Sequence, residues 1–182
     1  MFSSFYKIES VVKKSLASIL AVIAISTLAF SQSSNQSTVN ISLTVMQTLS
    51  ITEIGTLNFG TAYSGYAVPP VNPKTASNIP LFTVSGEPNA AISITLPISI
   101  PLSFNSTTVP FTPTVSGNQT NDQAGSTTLT LGTVSENLSS AGSGNLTGNY
   151  FLWLGGHVNN DNPLPSIPSG VYNGTYTVQV DY

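Results

Sequence analysis

The sequence predicts an all-β chain folded as a single antiparallel β-sandwich behind a removable export signal. Three observations carry this. Apolar residues recur at every second position near both ends of the chain. Gly, Pro and Asn punctuate the short Val/Ile/Thr/aromatic runs between them. No stretch after residue 31 holds a helical periodicity for three turns.

The N-terminus reads as the export signal. Three of the four lysines, Lys7, Lys13 and Lys14, precede an apolar run over 15–30, the layout of a secretory leader. Ala29 and Ser31 are small residues at the spacing a signal peptidase requires, so the cut is expected between Ser31 and Gln32. The run is shorter than the roughly 20 residues a bilayer span needs. The expected organisation is therefore a leader over 1–31 and one sandwich domain over 32–182. The chain is expected outside the cell or on its surface, after passing through the periplasm, with no membrane span after the cut.

Beyond the leader, Lys74 is the only basic residue, set against six acids. Charged residues make up 6% of the chain, where about 25% is usual, so the surface is polar but hardly ionised. Counterion release, the main drive for nucleic-acid binding, needs clustered Lys and Arg; none exist here, and no nucleic-acid partner is expected. Cys is absent, which removes disulfides, thiol catalysis and Cys-ligated zinc.

The first strand is expected over 39–51. There Val39, Ile41, Leu43, Val45, Leu49 and Ile51 alternate with mostly polar residues, Gln47 alone breaking the series. Further strands are expected over 81–85, 91–96, 109–115, 127–134 and 150–158, each bounded by Gly, Pro or Asn. A last one is expected over 172–182, where Tyr172, Tyr176, Val178, Val180 and Tyr182 alternate with polar residues. Pro97, Pro101, Pro110 and Pro113 suit sheet edges and corners rather than central strands. The Pro-rich stretches 61–79 and 159–170 read as long loops, and the Ser/Gly/Asn-rich 135–148 as a surface loop. Uneven spacing and strands shorter than the roughly 10 residues of an outer-membrane barrel favour a sandwich over that alternative.

Several segments carry a family resemblance: LNFG at 57–60, FTVSGEPNA at 82–90, ISITLP at 92–97, LGG at 154–156 and GVYNGTYTVQVDY at 170–182. In this order they resemble the secreted bacterial family of domain of unknown function 4402. More distantly they are similar to spore-coat-U and fimbrial-subunit sandwiches, whose last strand also runs from Gly-x-Tyr to a terminal Tyr. Here His157-Val-Asn-Asn-Asp replaces the usual run after the Gly-Gly pair. The resemblance implies an immunoglobulin-like sandwich on or outside the cell surface and carries no catalytic residues.

No catalytic, cofactor or metal site is expected from the residues, and no enzyme activity. His157 is the only His and lacks a Gly-x-Ser-x-Gly elbow; it reads as a strand-end side chain. Lys74 has Val71 three positions earlier, not Ser. Glu53, Glu87, Asp122, Glu136 and Asp161 are scattered, with nothing pairing them across a cleft as glycoside hydrolysis requires. Asn159, Asn160, Asp161 and Asn162 supply oxygen atoms but lack the spacing of a calcium loop. Sequons at Asn35, Asn40, Asn105, Asn118, Asn137, Asn145 and Asn173 are what a Ser/Thr-rich composition gives unaided.

The expected role is a non-enzymatic surface, adhesive or filament-forming subunit, with copies of itself or similar subunits as partners. Val39, Ile41, Leu43 and Val45 are the candidates for a strand donated to a neighbour, the bland alternative being pairing inside their own sandwich. A carbohydrate-binding module is the rival, with Trp153, Tyr63 and Tyr66 as stacking candidates and glycans as partners.

Overall fold

The computed structural model describes residues 39–142 and 146–182. The expected leader, its cut between Ser31 and Gln32, and the sequons at Asn35 and Asn145 lie outside the described residues. The sandwich is a unit of its own over Val45–Tyr182.

Among the described residues nine strands follow in chain order: β1 Ser50–Ile54, β2 Leu81–Gly86, β3 Ala91–Leu96, β4 Ile100–Phe104, β5 Thr107–Asn118, β6 Thr127–Thr128, β7 Gly132–Asn137, β8 Gly148–Val158 and β9 Gln179–Asp181. All ladders are antiparallel. One sheet has six strands in the order β1-β2-β8-β5-β4, with β6 beside β5; the other has three, β7-β3-β9. Neither sheet closes on itself, so the architecture is the expected sandwich and not a barrel.

Strict alternation explains the core. In β2 and β3 every second residue is buried: Phe82 and Val84, then Ile92, Ile94 and Leu96. Phe82 stands opposite Leu152, Val84 opposite Tyr150, and Val115 opposite Leu154. These side chains and those of β3 form one apolar cluster between the sheets. Val178 and Val180 pack against it, on the face their alternation assigns.

Several expectations need correcting. The run 39–51 is not one strand: only Ser50–Ile54 pairs, and β2 ends at Gly86, one residue past Ser85, the partner of Ser50. Only Gln179–Asp181 of the last run pairs β3, while Asn173 bridges Ser103 of β4. The C-terminal stretch thus runs antiparallel first to β4 and then to β3, with the register offset by two residues where 97–99 bends the partner. The run 127–134 divides into β6 and β7, which lie in different sheets; the chain changes sheet ahead of Gly132, whose φ is +99°. The loop expected over 135–148 begins only after β7 ends at Asn137. β4 was hidden by Pro101.

Pro110 and Pro113 lie in β5, an interior strand, against expectation. Pro110 stands opposite Pro101; neither has an N–H to exchange, so the pair suits a position where both nitrogens point out of the ladder. Pro113 stands opposite Gly156, whose N–H and carbonyl are both bonded to Val71 at 2.8 Å and so point away from β5. The missing donor of Pro113 then faces the gap between β4 and β6, where no strand needs it.

Leu152 is fully buried at the centre of this core. Leu152→Ala is expected to cost about 2–5 kcal/mol in chemical denaturation, with Thr133→Ala on the exposed outer face of β7 close to neutral.

Candidate functional site

The chemistry-bearing side chains are not gathered. Among the described residues no group of three or more His, Cys, Asp or Glu could hold a metal ion. His157 stands opposite Thr112 on β8. Lys74 lies in a loop where its N–H meets Asn72 Oδ1 at 2.9 Å. The Asn-rich stretch is a 3₁₀ turn with Asn159 and Asn160 at φ of +54° and +52°. Its amides are committed internally: Asn159 Nδ2 donates to the Pro163 carbonyl at 2.9 Å and Thr112 Oγ1 to Asn160 Oδ1 at 2.8 Å.

The aromatic candidates separate cleanly. Trp153 is 4% exposed, on the outer side of β8 between Leu81 and Ser116. Ser126 Oγ donates to Ser116 Oγ at 2.8 Å, and Gln123 Nε2 donates to the carbonyls of Pro73 and Ala76 at 2.9 and 2.8 Å. These bonds tie the long loop and the 123–126 turn together over this side. The Gly-Gly pair makes room: a side chain at Gly155 would strike the Val71 carbonyl. Trp153 is therefore structural. Tyr63 and Tyr66 are each 71% exposed and cap one turn closed by Tyr66 N–H to the Tyr63 carbonyl at 3.1 Å. Gly65 and Tyr66 bond Leu164 in both directions at 2.9 Å, which fixes that turn on the second long loop.

A denser constellation surrounds Gln47. Its N–H donates to Glu87 Oε2 at 3.0 Å, and its carbonyl accepts the Tyr182 hydroxyl at 2.8 Å. The same hydroxyl accepts the Glu87 N–H at 2.8 Å. Gln47 Nε2 donates to the Leu146 carbonyl at 2.7 Å, and Thr147 Oγ1 donates to Gln47 Oε1 at 3.2 Å. Any side chain at Gly86 would strike the Tyr182 hydroxyl. The apparent flaw in the N-terminal alternation is thus an anchor, and the terminal Tyr is its counterpart. Sequence reasoning missed this role; a lone Gln at an apolar register position was the signal.

Upstream of this anchor, Val39, Ile41, Leu43 and Val45 are 80, 92, 86 and 79% exposed, and none belongs to a strand.

A family model described as Domain of unknown function (DUF4402) matches residues 20–182. No curated protein matches the chain. Among the described residues no helix is long and apolar enough to cross a membrane.

Two phenols are perturbed. Burial, then the charge of Glu136 and a hydrogen bond to it, hold the Tyr150 phenol above the ordinary range. Burial alone does the same for Tyr176, whose hydroxyl has no hydrogen-bond partner. Both pKa values are raised by folding, so stability is unaffected by them below about pH 10 and falls as pH rises beyond it, where the unfolded chain releases protons the fold retains. Tyr176→Phe removes an unsatisfied buried hydroxyl. It should raise stability at neutral pH by about 1 kcal/mol and flatten the alkaline loss. A loss of stability in urea titration would show that the hydroxyl is satisfied.

Proposed function

The chain belongs to the family of domain of unknown function DUF4402, and from that premise we propose that it is an exported, non-enzymatic envelope subunit that assembles by donating its N-terminal strand to a neighbouring subunit. The observation that carries this is the uncovered alternation at Val39, Ile41, Leu43 and Val45. Four apolar side chains on one side of a seven-residue stretch, with Asn40, Ser42 and Thr44 on the other, describe a strand whose sheet is missing. A sheet edge supplies main-chain partners and its inner side supplies pockets for alternate residues. The stretch 39–46 carries no charge, so it lacks the Lys and Glu that keep edges apart.

The basic leader and the apolar run after it support export, and a near-uncharged Ser/Thr surface suits contact with other subunits or with envelope polysaccharide. Tyr63 and Tyr66, exposed on one fixed turn, favour a second reading in which the sandwich binds glycans by ring stacking. The buried Trp153 gives that reading no support.

Light scattering on the chain from Gln32 onward tests the proposal. Oligomers that grow with concentration are expected. Ile41→Asp combined with Leu43→Asp, both at exposed positions, should leave a folded monomer. A monomer at every concentration for the unaltered chain would overturn spontaneous assembly.

A further inference from the structure

We infer that the edge which receives the donated strand is the free side of β9, and that the occupant is residues 39–45 of a second copy of this chain, laid between β9 and β1 as a fourth strand of the smaller sheet. This rests on the strand-donor reading above and adds where the strand goes.

The imbalance between the sheets defines the place. β9 ends the order β7-β3-β9. Across from it, the inward residues of β1 are left uncovered: Ile51, in register with buried Val84, is 41% exposed, and Glu53, in register with buried Phe82, is exposed as well. Val178 and Val180 are only partly buried, although they pack on the core. A strand added beside β9 would cover that flank and Ile51 together. Its polar side would continue the outer row of Ser93, Thr95, Gln179 and Asp181, which face one another across β3 and β9.

Other edges fit less well, each for a physical reason. A strand added outside β1 would lie still further from the smaller sheet, so its apolar side would stay in water. The outer side of β4 is occupied: Ser103 and Asn173 exchange both main-chain bonds, at 2.8 and 3.1 Å. The β7 edge carries Glu136, turned towards Tyr150, and its Asn137 carbonyl takes Gln119 Nε2 at 3.0 Å; inward charge is a device that blocks edge pairing.

Length agrees. Seven extended residues reach roughly 23 Å, and the stretch 176–182 along the edge also holds seven residues. One end of the gap is closed by the Tyr182, Gln47 and Glu87 bonds, which sets a stop for the incoming strand.

The test uses the chain from Gln32 onward with Ile41→Asp and Leu43→Asp, so that its own donor is disarmed, and a synthetic peptide of residues 38–46 as the probe. Amide hydrogen exchange is followed by mass spectrometry. Slowed exchange across 176–182, at least tenfold at saturating peptide, is expected, together with reduced labelling of Ile51 and its neighbours. Protection confined to β7, β4 or the outer side of β1 would overturn the assignment of the edge while leaving strand donation standing. No binding by the peptide would overturn both.

Discussion

A sheet of six strands lies over a sheet of three, and the smaller cannot shield the larger. The centre is well served: β2, β8 and β5 present Val84, Leu152 and Val115 to Ile92 and Ile94 of β3, all buried. The flank is not. β1 pairs fully with β2, yet all five of its residues are exposed, because the main-chain ladder continues where the opposing apolar layer has stopped. The low charge of the chain makes this more consequential, since solvated Lys and Glu side chains are the usual cover for such a flank.

Much of the detail at the periphery serves to pin segments that the ladders do not reach. The Gly155-Gly156 pair lets the long loop cross β8 and take both main-chain bonds of Gly156. Gln47, Glu87 and Tyr182 tie the approach to β1, the β2–β3 turn and the chain end into one knot. The resemblance segments gain physical meaning here: Gly86 and Glu87 belong to one, Tyr182 to another, and they touch. Glycine is required at 86 because the terminal phenol occupies the space a side chain would need.

The sandwich was legible because period-two alternation and turn residues are local signals, and β2, β3 and β8 fall almost where they were expected. What stayed hidden was non-local. Pro101, Pro110 and Pro113 pointed to edges and corners because a sequence does not show which side of a strand lacks a partner. The alternation at 39–51 read as one strand because the pattern says that a face is apolar, not how much of it pairs. Trp153 was legible as a strand residue, but its burial on the outer side depends on Gln123 and Ser126 being brought over from another part of the chain. The same limit applies to the site: Val39, Ile41, Leu43 and Val45 were found by pattern, whereas the bonds that Gln47 makes to Glu87, Leu146 and Tyr182 needed the fold.

The central claim is that residues 39–45 find their sheet in another molecule, and cross-linking between isotopically distinct chains tests it most directly. A photoreactive phenylalanine replaces Leu43, equal amounts of light and heavy chains from Gln32 onward are mixed, unfolded and refolded together, and the cross-linked peptides are weighed after digestion. Light–heavy pairs joining position 43 to the 176–182 stretch, about as frequent as same-isotope pairs, are the result this account predicts. Cross-links joining position 43 only to residues of its own isotope would show the strand folded within its own chain and would contradict it.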